Sequence, residues 1–126
     1  MLNHAKISLF TAVALLAVSF AAYAEQRFDA KAFQQAQADG KTIVVDVYAE
    51  WCPTCREQRP IVAGLEKEKP GLVVYEVDFD SSKDLLKRFR VQYQSTLIVF
   101  KGSKEVGRSI GETDPVRIRA LIARGL

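Results

Sequence analysis

The sequence predicts a single α/β domain, a mixed sheet of four to five strands sandwiched between helices. Three observations carry that prediction. Short β-branched apolar runs alternate with segments of helical periodicity, which implies parallel strands joined by helical crossovers. The last two runs are separated by a Gly-containing turn, which adds an antiparallel hairpin at one edge. The chain of 126 residues, 48% hydrophobic and 26% charged, has the size and composition of one core, with no internal repeat, low-complexity tract or linker.

Residues 1–24 are a different kind of sequence. His4 and Lys6 precede Ile7 to Ala24, a stretch without formal charge that ends in Ala22-Tyr23-Ala24. A basic start, an apolar region and small residues at an A-x-A-like site predict a signal peptide removed before Glu25. An uncleaved membrane anchor is the alternative. The folded domain is expected over residues 25–126. Export would put it in an oxidising compartment such as a periplasm.

Phe28-Asp29 opens the first helix, with Asp29 as its cap and Phe28 and Phe33 spaced as a hydrophobic staple; Gly40 ends it. The run 42–49 is short, apolar and β-branched, so it reads as a buried strand. A second helix follows to about Lys69, with Pro60 inside it as a kink and Ile61, Val62 and Leu65 as its apolar side. Pro70-Gly71 stops it, and Leu72 to Asp78 forms the next strand. Asp80-Ser81-Ser82 is expected to cap a short helix that turns Leu85, Leu86 and Phe89 inward. Thr96 to Phe100 and Glu105 to Ile110 form the hairpin around Gly102-Ser103. Thr113-Asp114-Pro115 caps the last helix, with Ile118, Leu121 and Ile122 buried and Arg117, Arg119 and Arg124 in water. A short strand near Gln26-Arg27 would be the fifth.

The chemistry is concentrated in Glu50-Trp51-Cys52-Pro53-Thr54-Cys55-Arg56, between the first long strand and the second helix. The only two cysteines of the chain lie there, three residues apart. With Cys52 at the first turn of a helix, Cys55 falls on the same face within bonding reach. The free N–H groups and positive dipole end of the helix favour a thiolate at Cys52, lowering a thiol pKa from about 8.5 to between about 3.5 and 7.5. Arg56 adds a positive charge on that side, and Pro53 suits an early helical position. Cys52 is therefore the expected nucleophile and Cys55 the resolving thiol. A structural zinc site would need four ligands, and the chain has no second cysteine pair and a single histidine, His4. A purely structural disulfide over so short a loop would stabilise little. The formal charge of +3, with no basic run or Arg/aromatic patch, argues against nucleic acid as a partner.

Val45-Asp46-Val47-Tyr48-Ala49-Glu50-Trp51-Cys52-x-x-Cys55, followed by Pro60, resembles thioredoxin, and so do Val77-Asp78, Phe100-Lys101-Gly102 and Ile110-Gly111. The resemblance covers nearly all of residues 25–126 and implies the thioredoxin fold. Trp51 to Arg56 also resembles periplasmic reductive thioredoxins, such as those serving cytochrome c maturation. The insertion-free chain is similar to plain thioredoxin or to the tail domain of transmembrane disulfide reductases. It implies that Asp46, a charge inside a strand of β-branched residues, is a buried acid that exchanges a proton with Cys55 through water. It implies a substrate surface made of Trp51, Pro53, Thr54, Ser95, Thr96 and Gly111. Glu76 stands where the family usually carries a lysine near the acid. Two carboxylates that approach there would disfavour each other's ionisation; equally, Glu76 could face solvent. Ser95 stands where the family has a cis-proline. A cis bond without proline costs about 2.5–4 kcal/mol, so Gln94–Ser95 is predicted trans.

The expected function is an exported thiol–disulfide oxidoreductase, a monomer that reduces disulfides of exported proteins and is recharged by a membrane thiol electron donor. No cofactor beyond the redox-active disulfide Cys52–Cys55, and no metal, is implied. The alternatives are an exported oxidase or isomerase, a copper or iron–sulfur carrier, and a redox-inert binding domain. The lack of His and Met after residue 24 weighs against copper.

Overall fold

The computed structural model describes residues 26–126; the expected signal peptide lies outside the described residues. Nine elements follow in order: β1 (Gln26–Arg27), α1 (Ala30–Ala38), β2 (Thr42–Tyr48), α2 (Pro53–Glu68), β3 (Leu72–Asp78), α3 (Lys83–Phe89), β4 (Thr96–Lys101), β5 (Lys104–Ile110) and α4 (Pro115–Ala123). The five strands form one sheet in the order β1-β3-β2-β4-β5. β1, β3 and β2 run parallel, while β4 and β5 are antiparallel to their neighbours. This is the thioredoxin fold, with β1 as the short fifth strand.

Alternation along β2 builds both cores. Ile43, Val45 and Val47 face a cluster with Phe33 and Ala36 of α1, Leu86 and Phe89 of α3, Tyr75, Val77, Ile98 and Phe100. Val44 faces the other side, where Val62 and Leu65 of α2 meet Ile118, Leu121 and Ile122 of α4 over Leu72, Val74, Leu97 and Val99. Every residue of β2 is buried, as expected of a central strand covered on both faces.

Local signals explain most element ends. Asp29 caps α1 through Ala32 N at 2.7 Å, and the Phe28 and Phe33 rings sit 5.1 Å apart as a staple. Asp114 caps α4 through Val116 N, with Pro115 in the first turn. The α3 cap differs from expectation. Ser82 makes no side-chain capping bond. Asp78 accepts from the N–H groups of Asp80 and Ser81, which shapes the turn before the helix, and the Asp80 carboxylate is directed to another partner. The basic face of α4 is exposed but not merely solvated: Arg119 bonds Glu68 of α2 at 2.8 Å, and Arg117 pairs with Glu112 at 3.1 Å.

Candidate active site

The site lies where β2 leaves the sheet and α2 begins. The Cys52 N–H donates to the Ala49 carbonyl at 3.1 Å, a tight turn that places Cys52 at the N-cap of α2 with extended φ of −87°. Its Sγ accepts the Cys55 N–H at 3.1 Å, the bond a Ser or Asp oxygen makes in an ordinary cap. A thiolate at that sulfur would receive both this N–H and the positive end of a long helix. Pro53 occupies the first turn, where its missing N–H has no cost. Cys52 and Cys55 are joined by a disulfide, with their Cα atoms 5.3 Å apart. The pair is buried against Tyr48, Ala49 and Phe79. It is bordered by exposed Pro53 and half-buried Thr54, and by Trp51, which is 56% exposed. The Trp51 indole N–H donates to Asp80 at 2.8 Å, so this carboxylate anchors the loop before Cys52.

Beneath the cysteines, Asp46 is 1% exposed. It stands in register with Glu76 of β3 and Leu97 of β4, so these side chains share the face covered by α2. Glu76 therefore does lie beside Asp46, and it is not in open solvent: Arg59 Nη2 approaches its carboxylate at 3.1 Å. The same guanidinium lies over the Tyr48 ring, 4.4 Å from its centroid. Burial, followed by the carboxylates of Glu76, Asp78 and Glu50, pushes the Tyr48 phenol up, and Arg59 offsets part of this. The cation engaged with this layer is thus Arg59. Arg56, expected to add a positive charge on the Cys52 side, is exposed, and its backbone N–H bonds the Cys52 carbonyl at 3.3 Å.

Ser95 and Thr96 are buried on the loop entering β4. No cis peptide bond occurs among the described residues, and Ser95 takes φ of 57°, the left-handed region. Its hydroxyl donates to the Gln94 carbonyl at 2.6 Å, and Thr96 donates to the Tyr93 carbonyl at 2.7 Å. The Ser95 carbonyl accepts from Gly111 N at 2.9 Å and from Gln58 Nε2 at 3.1 Å. Gly111 has φ of 70°, and a Cβ built there would meet nothing within 4 Å. The glycine answers to its backbone angle, and the space beside it is open.

The structure thus gathers Trp51, Cys52, Pro53, Thr54 and Cys55 at one helix end, with Asp46 and Glu76 in the layer below. Gln58 ties Ser95 to that helix, and Gly111 bonds the same Ser95 carbonyl, with Thr96 next in the chain. Sequence reasoning missed Gln58 and Arg59, and read Asp80 only as part of a helix cap rather than as the partner of Trp51. Gln58 and Arg59 stand three and four positions after Cys55, the spacing that shares its helix face, and that was the available signal. Among the described residues, no group of three or more His, Cys, Asp or Glu could hold a metal ion, and no helix is long and apolar enough to cross a membrane.

Residues 24–124 match the family model described as Thioredoxin. The chain is 34% identical to thioredoxin-1 of Saccharomyces cerevisiae over 94 residues, covering 75% of this chain and 90% of that protein. It is 37% identical to the thioredoxin of Chlamydia trachomatis over 82 residues, covering 65% and 80%. Among solved structures, Trxlp from Edwardsiella tarda superposes with a TM-score of 0.73 at 43% identity, covering 77% of this chain and 96% of that one.

Proposed function

This chain belongs to the thioredoxin family and is a disulfide oxidoreductase with a Cys-x-x-Cys pair, and on that premise we propose that Cys52 and Cys55 reduce disulfides of exported proteins. The observation that carries the reading is Cys52 at the N-cap of α2, its sulfur already accepting the Cys55 N–H. In the forward reaction, the Cys52 thiolate attacks one sulfur of a substrate disulfide and releases the other as a thiolate, which takes a proton from solvent. Cys55 then loses its proton to Asp46, through water, and attacks Cys52. The second substrate thiolate leaves and is protonated, and the Cys52–Cys55 disulfide closes. Two electrons have passed to the substrate, and a membrane thiol donor must return them.

The reductive direction is supported by the insertion-free element order and by relatives that are themselves thioredoxins. Trp51, Pro53, Thr54, Gly111 and the backbone of the buried Ser95 and Thr96 form the docking surface, with the open space at Gly111 admitting a partner backbone. Export rests on the pattern of residues 1–24; N-terminal sequencing of the protein recovered from cells, with Glu25 first, would support it, and an intact Met1 would sink cleavage. The decisive measurement is the equilibrium reduction potential against glutathione. A value near about −270 mV fits a reductase, whereas one near about −120 mV makes the protein an oxidant.

A further inference from the structure

The loop at Ser95 is held by a side chain that the exchange chemistry does not use. Gln58 has no exposed surface. Its Nε2 donates to the Ser95 carbonyl at 3.1 Å and to the Glu112 carbonyl at 2.9 Å. Gly111, next to Glu112, donates its own N–H to that same Ser95 carbonyl at 2.9 Å. Three segments far apart in sequence are thereby joined at one nitrogen: α2, the loop before β4 and the turn after β5. Only an amide or a cationic side chain can donate twice from one nitrogen, and the amide does so without burying a charge.

Two departures from ideal structure coincide here. Gln58 Oε1 is buried with no hydrogen-bond partner among the described residues. Ser95, a non-glycine residue, is held at φ of 57°. Each costs free energy, and both persist at one place only because the surrounding bonds over-determine it. A network serving stability alone would more simply use an apolar side chain at 58 and a glycine at 95.

We propose that Gln58 is a positioning residue for disulfide exchange: it holds the Ser95 carbonyl, and with it the backbone of Gln94, Ser95 and Thr96, in fixed register with the cysteine helix. An extended protein segment bearing a disulfide docks against a loop that no proline ring stiffens, and Gln58 stiffens it from below. The inference rests on the reductase reading of Cys52 and Cys55. A small disulfide that touches only the sulfurs does not need the loop, so the role is specific to protein substrates.

The test compares Gln58→Met with the unmodified chain on two probes, insulin and hydroxyethyl disulfide, with dithiothreitol as the electron source. Methionine keeps the length, removes both donors and also removes the unpartnered oxygen, but it leaves the Glu112 carbonyl without this donor, so a modest fall in thermal midpoint is expected. For insulin, kcat/KM should fall about tenfold, mainly through a higher KM, the size set by losing two neutral hydrogen bonds. The hydroxyethyl disulfide rate and the reduction potential should stay within about twofold and a few millivolts of the unmodified protein. Equal rates on insulin, or parallel losses on both probes, overturn the proposal. If the methionine variant does not fold, Gln58→Asn keeps the amide but shortens its reach, and the same two outcomes decide. An unmodified chain inactive on both probes would instead overturn the reductase reading on which this rests.

Discussion

On one face of the sheet, Ile43, Val45 and Val47 of β2 meet an aromatic nest; on the other, Val44, Asp46 and Tyr48 of the same strand lie under α2. The first face packs Phe28, Phe33, Tyr75, Phe89 and Phe100 mostly edge to face, with Phe28 and Phe33 tilted at 45°, and ring centroids 5.1 to 6.1 Å apart. The second face interrupts an aliphatic cluster with Asp46 and with Gln58 and Glu66 of α2. Strand alternation places these two surfaces one residue apart, and they do different work. The aromatic face supplies burial, about 150–250 Å² for each ring. The polar face gives up part of that stability by burying Asp46, Gln58 and Glu66 among aliphatic side chains. Stability and reactivity are thus separable by face, which substitutions can break or sharpen.

The largest effect belongs to the sulfur pair. Cys52→Ser should reduce insulin turnover to the uncatalysed background, while Cys55→Ser should retain attack and accumulate a mixed disulfide visible by mass spectrometry. Residual turnover in Cys52→Ser above background would show a second nucleophile. Next, Phe33→Ala on the aromatic face should cost about 3–5 kcal/mol in urea unfolding, as truncation of a buried aromatic does. It should leave the reduction potential unmoved; a shifted potential would end the separation of the faces.

Asp46→Asn reverses that pattern. It should slow reduction of insulin by about a hundredfold near neutral pH, the lower end of what a positioned proton acceptor contributes. An unchanged rate would remove Asp46 from the mechanism. The smallest effect lies at the rim, where the Arg119 hydrogen bond and charge hold Glu68 below the usual carboxylate range. A lowered carboxyl contributes stability that is present above its unfolded value and is lost as pH falls through the folded one. The thermal midpoint of Arg119→Met should therefore lie slightly below that of the unmodified protein at neutral pH, and the gap should close toward pH 3. A gap that persists in acid would assign the difference to packing rather than charge.

Legibility in the sequence follows the same division. The aromatic face, the strand runs and the caps at Asp29 and Asp114 are encoded by neighbours a few positions apart, and periodicity finds them. Asp46 was legible because a charge inside a β-branched run is conspicuous. The Gln58 bonds reach Ser95 and Glu112 across 37 and 54 positions, and nothing local announces them. Arg59 was hidden in the same way, since its partner Glu76 is named only by the register of β3 against β2. The α3 cap was legible only in position: Ser82 stands at the N-cap without a side-chain bond, while Asp78, at the end of β3, binds the N–H groups of Asp80 and Ser81 in the turn before the helix.

The left-handed backbone at Ser95 bears on how this chain can change over time. Proline fixes φ near about −65°, on the opposite side of the Ramachandran map from the φ of 57° found here. Restoring the ring by Ser95→Pro alone would rotate the peptide, pull its carbonyl away from Gly111 and Gln58, and cost more than about 1 kcal/mol. Part of that penalty should be recovered when Gln58 is replaced by an apolar residue in the same chain, a coupling that a double-mutant cycle reads directly. Ser95→Pro is therefore unfavourable while Gln58 holds the loop. The serine and the glutamine thus act as one unit, and the effect of replacing either depends on which residue stands at the other position.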